Sequence, residues 1–160
     1  MKNGHRRTRA GGEIGHASVE MEEEEACNCG NKGCLEQYAS ATGIARLARR
    51  AMASGQEESV LRSMENVTAK DVFDAYKDGD ALAAKVVDQF ARYLGNALAI
   101  FSCVADPDVI VIGGGVSKAG QVLIDCVESI SDSMHLQPAR IQRSNLRLWA
   151  MMRESMAQQN

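Results

Sequence analysis

Aromatic side chains are scarce in this 160-residue chain, at 4%, with a single Trp. A core must therefore rest on Ala, Val, Ile, Leu and Met. Long apolar runs are missing as well: none approaches the roughly 18 residues of a membrane span, so no membrane partner is expected. Neither sign of charge dominates, since 18 basic residues stand against 21 acidic ones for a net charge of −3. A dedicated nucleic-acid binder usually shows a strongly basic face, so nucleic acid is not an expected partner. The opening Met1-Lys2-Asn3-Gly4-His5-Arg6-Arg7 leads into no apolar stretch, which predicts no signal peptide and a cytoplasmic setting. What remains is an ordinary globular balance, 45% hydrophobic and 24% charged, at a length that suits about one domain.

Five cysteines are present, and three of them lie in Cys27-Asn28-Cys29-Gly30-Asn31-Lys32-Gly33-Cys34. An odd count so crowded does not read as a secreted disulfide framework. In a reducing compartment it reads as metal ligands or redox groups. Cys103 and Cys126 fall within apolar helical patterns and are expected to be small core hydrophobes.

Residues 13–19 suit a short strand or loop, and the acidic run Glu20 to Glu25 a solvated loop. Leu35, Tyr38, Ala39, Ile44, Leu47, Ala48 and Ala51 recur at helical spacing. One or two helices are predicted from Leu35 to Ala53, broken near Gly43. Thr68-Ala69-Lys70-Asp71 is a capping-box variant opening a helix that closes at Gly79. Asp80 should cap a long helix running to Cys103, with Asp106-Pro107 ending it. Val109 to Ile112 reads as a buried strand, followed by Gly113-Gly114-Gly115 and a helix from about Ala119 to Met134. The expected class is α/β, rich in helix.

Three thiolates at this spacing can reach one ion, because the intervening glycines let the loop fold tightly. A structural zinc ion prefers four tetrahedral ligands, and His16, just upstream, is the best fourth. Glu13 and Glu36 are then drawn into the same region as His16. Paired carboxylates beside an imidazole suit a polyhydroxylated ligand, since each oxygen can accept from a hydroxyl. At the far end, Gly113, Gly114 and Gly115 close a strand, where ligands of open α/β sheets bind and glycine permits close backbone approach.

Gly12-Glu13-Ile14-Gly15-His16, the cysteine segment through Leu35-Glu36, and Tyr38-Ala39-Ser40 together resemble the signature of the ROK family of sugar kinases and sugar-responsive repressors. Asp106 to Ser117 resembles that family's adenosine-side segment. Ser40-Ala41-Thr42-Gly43-Ile44 and Leu94-Gly95 fit its glucokinase branch. The likeness spans roughly residues 11–137. It implies the C-terminal domain of an actin-like, hexokinase-type ATPase fold with a structural zinc loop. By the motif, His16, Cys27, Cys29 and Cys34 would hold zinc, and Glu13, His16 and Glu36 would contact sugar hydroxyls. Gly113, Gly114 and Gly115 would lie against ATP. The implied reaction is phosphorylation of a hexose, glucose by likeness, in which the sugar's terminal hydroxyl attacks the γ-phosphate with an Asp base and Mg²⁺. A homo-oligomer is expected for the complete protein. Two alternatives stand beside this one: the sugar-sensing part of a repressor, and a self-standing zinc-stabilised module that binds sugar without ATP.

The family's Asp-x-Gly-Gly-Thr phosphate loop and catalytic Asp are not found in this sequence, nor is its closing Leu-Gly-Asn-Asp-Ala-Gly. No residue can be assigned the base, so this chain alone is expected to be inactive. Residues 13–137 form the expected domain, with the zinc loop at 16–34; residues 1–12 and 138–160 fit no family element. The single codons of Trp149, Met151 and Met152 permit the closing segment to be read in a displaced frame. Both end segments are therefore expected to be frame-shifted, with loose packing beyond about residue 138 and Trp149 exposed.

Overall fold

Side chains that can cap a helix set most of the boundaries in the chain. The computed structural model describes residues 13–107, 109–133 and 140–143. Its elements are α1 (Glu36–Ala39), α2 (Ala41–Ser54), α3 (Ala69–Lys77), α4 (Ala81–Ala105), β1 (Val109–Ile112), α5 (Gln121–Ser133) and β2 (Arg140–Arg143). Short 3₁₀ turns occupy Ile14–His16, Val60–Ser63 and Gly115–Ala119. The predicted capping box is formed: Asp71 N–H donates to Thr68 Oγ1, and Thr68 N–H donates to Asp71 Oδ2 at 3.0 Å. Asp80 caps α4 by accepting from Ala83 N–H at 2.9 Å. That helix runs two residues past Cys103, to Ala105, and closes on Asp106 in the left-handed region at φ 43°.

The break between the first two helices lies at Ser40, not at Gly43. Ser40 Oγ accepts from Gly43 N–H at 2.9 Å and so caps α2. Gly43 serves a different purpose. A methyl there would come within 2.8 Å of the Gln37 carbonyl carbon and the Glu36 oxygen, so glycine lets α2 start hard against α1. Gly43→Ala is expected to push these helices apart and cost about 1–3 kcal/mol, the range for overpacking. A urea midpoint equal to that of the wild type would contradict the close-approach account.

The core sits around α4. Phe90, Leu82, Val86 and Val87 are buried against Ile44 and Leu47 of α2, Val72 of α3, and Leu123 and Val127 of α5. Phe73 meets Phe90 edge-on, with ring centroids 5.9 Å apart. Burial along α4 ends at Ala99, and beyond it Cys103 and Val104 face solvent. Cys103 is therefore not the core residue its apolar pattern predicts: the pattern outlasts the buried stretch. Cys126 is half-buried and packed on the core, as expected.

β1 and β2 pair in parallel, Val109 opposite Arg140 through Ile112 opposite Arg143. The predicted buried strand is only half-buried, and Val109 is exposed. Among the described residues β2 is its one neighbour. β2 lies beyond the expected boundary at 137 and is paired along its whole length, whereas Trp149 and residues 1–12 lie outside the described residues. No helix among the described residues is long and apolar enough to cross a membrane.

Candidate metal and ligand site

The segment before α1 doubles back on itself, and that return builds the site. Glu13 leads the 3₁₀ turn, whose first hydrogen bond runs from His16 N–H to Glu13 O at 3.0 Å. Ser18 then bridges to Cys34, and Leu35 N–H donates to Ala17 O at 2.9 Å, which lays the histidine turn beside the exit of the cysteine loop. A second bridge, Ala26 to Lys32, closes a hairpin that turns at Gly30. Gly33 is required where it is. Its φ is +69°, and a Cβ would sit 1.8 Å from Glu20 O.

One ligand atom each from His16, Cys27, Cys29 and Cys34 lies within 4.8 Å of the others. Cys29 Sγ is 3.6 Å from Cys34 Sγ, and Cys27 Sγ is 3.8 Å from His16 Nδ1. A tetrahedron with metal–sulfur bonds of about 2.3 Å has edges of roughly 3.8 Å. The donor set thus fits a four-coordinate ion with little rearrangement. Burial, followed by hydrogen bonds to Cys29 and Cys27, pushes the Cys34 thiol up to about 12. A cation among the sulfurs would reverse that cost by favouring the thiolates.

Glu36 joins the cluster directly, because Cys27 Sγ–H points at its Oε1 from 3.4 Å. A methyl at Gly15 would come to 3.8 Å of Glu36 Cβ, so the histidine turn lies over the start of α1. The structure therefore brings together His16, the three cysteines and Glu36. Glu13 heads the same turn with its side chain exposed.

The acidic run is not the solvated loop its composition suggests. Glu23 is buried and accepts from Arg46 Nη2 at 2.6 Å, from Arg50 Nη1 at 2.9 Å and Nη2 at 2.8 Å, and from the Tyr38 hydroxyl. Glu25 Oε2 accepts from Arg46 Nε at 2.8 Å, and Glu20 accepts from the Tyr93 hydroxyl at 2.7 Å. Hydrogen bonds from Arg50, then Tyr38 and Arg46, hold the Glu23 carboxyl well below its ordinary range against the cost of burial. The available signal was Arg46 and Arg50, one turn apart on a helix whose opposite face is apolar.

Gly113, Gly114 and Gly115 follow β1 and are exposed, with Gly114 at φ 77°. A methyl on Gly115 would lie 3.1 Å from Ala41 Cβ, so the glycine turn abuts the start of α2. Beside it a cavity of about 220 Å³ opens between α3 and the 3₁₀ turn, with Phe73 and Val116 in its wall and Lys70, Lys77 and Lys118 around it.

The sequence profile of the ROK family matches residues 2–155. A glucokinase of Halalkalibacterium halodurans is 49% identical over 116 residues, covering 71% of this chain and 35% of that protein. The DNA-binding transcriptional dual regulator NagC of Escherichia coli is 35% identical over 129 residues, covering 81% of this chain and 31% of its own length. Among solved structures, a ROK family glucokinase from Streptomyces griseus in complex with glucose and AMPPNP aligns with a TM-score of 0.72 and 29% identity. That alignment covers 84% of this chain and 46% of the other. The chain spans about a third of the length of these two curated relatives.

Proposed function

We propose, because the chain belongs to the ROK family, that it supplies one wall of the sugar and ATP sites of a cytoplasmic, glucokinase-like hexose kinase. The observation that carries this reading is the position of Glu36, whose Oε1 lies 3.4 Å from a sulfur of the four-ligand cluster that includes His16. An ion that takes the Cys27 thiolate displaces the proton now between them and leaves the carboxylate free for a sugar hydroxyl. Zinc is the ion that suits three thiolates and an imidazole. With His16 Nδ1 turned toward Cys27, the ring's Nε2 is left to meet a sugar hydroxyl, and metal ligation fixes the tautomer. Glu36 and Glu13 would accept from neighbouring hydroxyls. Gly113, Gly114 and Gly115 would let the nucleotide approach the backbone, with the cavity beside Phe73 adjoining it. ATP and Mg²⁺ belong to the complete enzyme, as does the base.

Phosphoryl transfer is mostly positioning and charge stabilisation, and this chain holds no assigned base. Alone, it is expected to show no glucose-dependent ADP release on the order of 1 s⁻¹, an ordinary kinase turnover. The decisive experiment grafts residues 13–137 in place of the matching segment of the Halalkalibacterium halodurans glucokinase. The chimera should phosphorylate glucose, and Glu36→Ala in it should lower kcat/KM by about 100-fold or more, as loss of a charge-assisted contact in a closed site does. A folded, metal-loaded chimera whose activity ignores Glu36 would end the assignment.

The likeness to NagC favours a second reading, the sugar-sensing part of a transcriptional repressor. The DNA upstream of this reading frame separates the two. A phosphate loop encoded there supports the kinase, and a helix-turn-helix supports the repressor.

A further inference from the structure

One buried side chain fastens both ends of the cysteine hairpin. The Gln37 carboxamide accepts from Cys34 N–H at 3.0 Å through Oε1 and donates to Glu25 O at 2.9 Å through Nε2. Glu25 stands two residues before Cys27, so this amide ties the segment carrying Cys27 and Cys29 to the residue that closes the loop. Gln37 is itself held, its N–H donating to Cys34 O at 2.9 Å and its carbonyl accepting from Arg46 Nη1 at 3.3 Å. Arg46 in turn grips Glu23 and Glu25. The glycine turns at Gly30 and Gly33 leave the hairpin free to open in the unfolded chain. A clamp that has already closed it spares a bound ion the entropy of doing so.

We propose that Gln37 is a positioning residue that presets the His16, Cys27, Cys29 and Cys34 cluster for its cation. This rests on the metal reading given above. Only a carboxamide suits the place, since one planar group must both accept and donate. Gln37→Met keeps the approximate volume and loses both bonds. Gln37→Glu keeps the acceptor, loses the donor and sets a carboxylate against the Glu25 carbonyl.

Cobalt(II) tests this, because thiolate-to-cobalt absorption reports binding and the visible bands report tetrahedral geometry. The full chain is titrated as wild type, Gln37→Met, Gln37→Glu, and Val72→Ala as a core-destabilised control in α3. Both Gln37 variants should bind about 10–100-fold more weakly, the usual effect of removing a group that orients metal ligands. Their tetrahedral bands should be retained, and Val72→Ala should bind like the wild type. Unchanged affinity in the Gln37 variants, or an equal loss in Val72→Ala, overturns the proposal. So does loss of helical circular dichroism in the Gln37 variants, which would make the residue a requirement for folding. A wild-type chain that binds no cobalt or zinc instead overturns the metal reading itself.

Discussion

Removing the proposed metal with a chelator, or replacing Cys34 by Ser, is expected to loosen residues 14–19 and 26–33, between the ends that Gln37 still ties at Glu25 and Cys34, while the core around α4 stays folded. Those residues bury little apolar surface. Cys27, Gly33 and Cys34 are buried, and Ile14 faces solvent. Between the Gln37 ties their order rests on two isolated bridges, a few backbone hydrogen bonds and the cluster. Structural zinc contributes about 10–16 kcal/mol in small peptides, comparable with the roughly 5–15 kcal/mol that stabilises a whole domain. Residues 23–25 should resist, because Glu23 is fastened to α2 independently of the metal. Hydrogen exchange resolved by peptide is the measurement. Protection should fall by orders of magnitude on either side of Glu23 and remain in α4. Equal protection in the chelated and loaded proteins would remove the metal from the account of this segment. Collapse of α4 along with the loop would show one cooperative unit where two are expected.

That division reflects how differently the two fastenings could be read from the residues. The cysteine spacing confines its ligands to one short loop, so the cluster was legible without tertiary information, and so was His16 just upstream. The caps at Thr68 and Asp80 were legible for the same reason, because donor and acceptor lie within one turn. Family membership rested on such local motifs, and with it the helix-rich, actin-like architecture. Gly43 was misread because glycine serves both as a helix breaker and as a site of close approach. Only the position of α1 over α2 decides between them. Cys103 was misread because periodicity shows which face of a helix is apolar but not how far along it the burial extends. The acidic run posed the hardest problem. Six residues from Glu20 to Glu25 include five carboxylates of one chemistry, and which one turns inward is settled by arginines 23 and 27 residues away in the chain.

Replacing that inward carboxylate should therefore have a large effect at a position that composition alone marks as dispensable. Glu23→Gln leaves Arg46 and Arg50 facing a neutral amide in a site where the Glu23 side chain is 2% exposed and that of Arg46 12%. Breaking a buried pair from one side costs about 3–5 kcal/mol, because the remaining charge keeps its desolvation penalty. The cost should be graded by burial. Arg46→Met should approach that of Glu23→Gln, whereas Arg50→Met should cost about 1 kcal/mol or less, since its side chain is 48% exposed. The sign of the pH dependence follows from the lowered Glu23 acidity. A carboxyl held below its unfolded value contributes stability that is fully present above that value and is lost as pH falls through the ordinary carboxylate range toward the folded one. The gap between wild type and Glu23→Gln should thus be full at pH 7 and shrink on acidification below about pH 4.5, where the unfolded chain takes up the proton while folded Glu23 still holds its charge. Urea denaturation of both proteins at each pH, with the metal state matched, isolates this difference from titration of the thiols. A gap that stays constant down to about pH 3 would mean that the carboxylate contributes through its shape rather than its charge, and an Arg50 variant as damaged as Glu23→Gln would mean that exposure does not grade the two arginines.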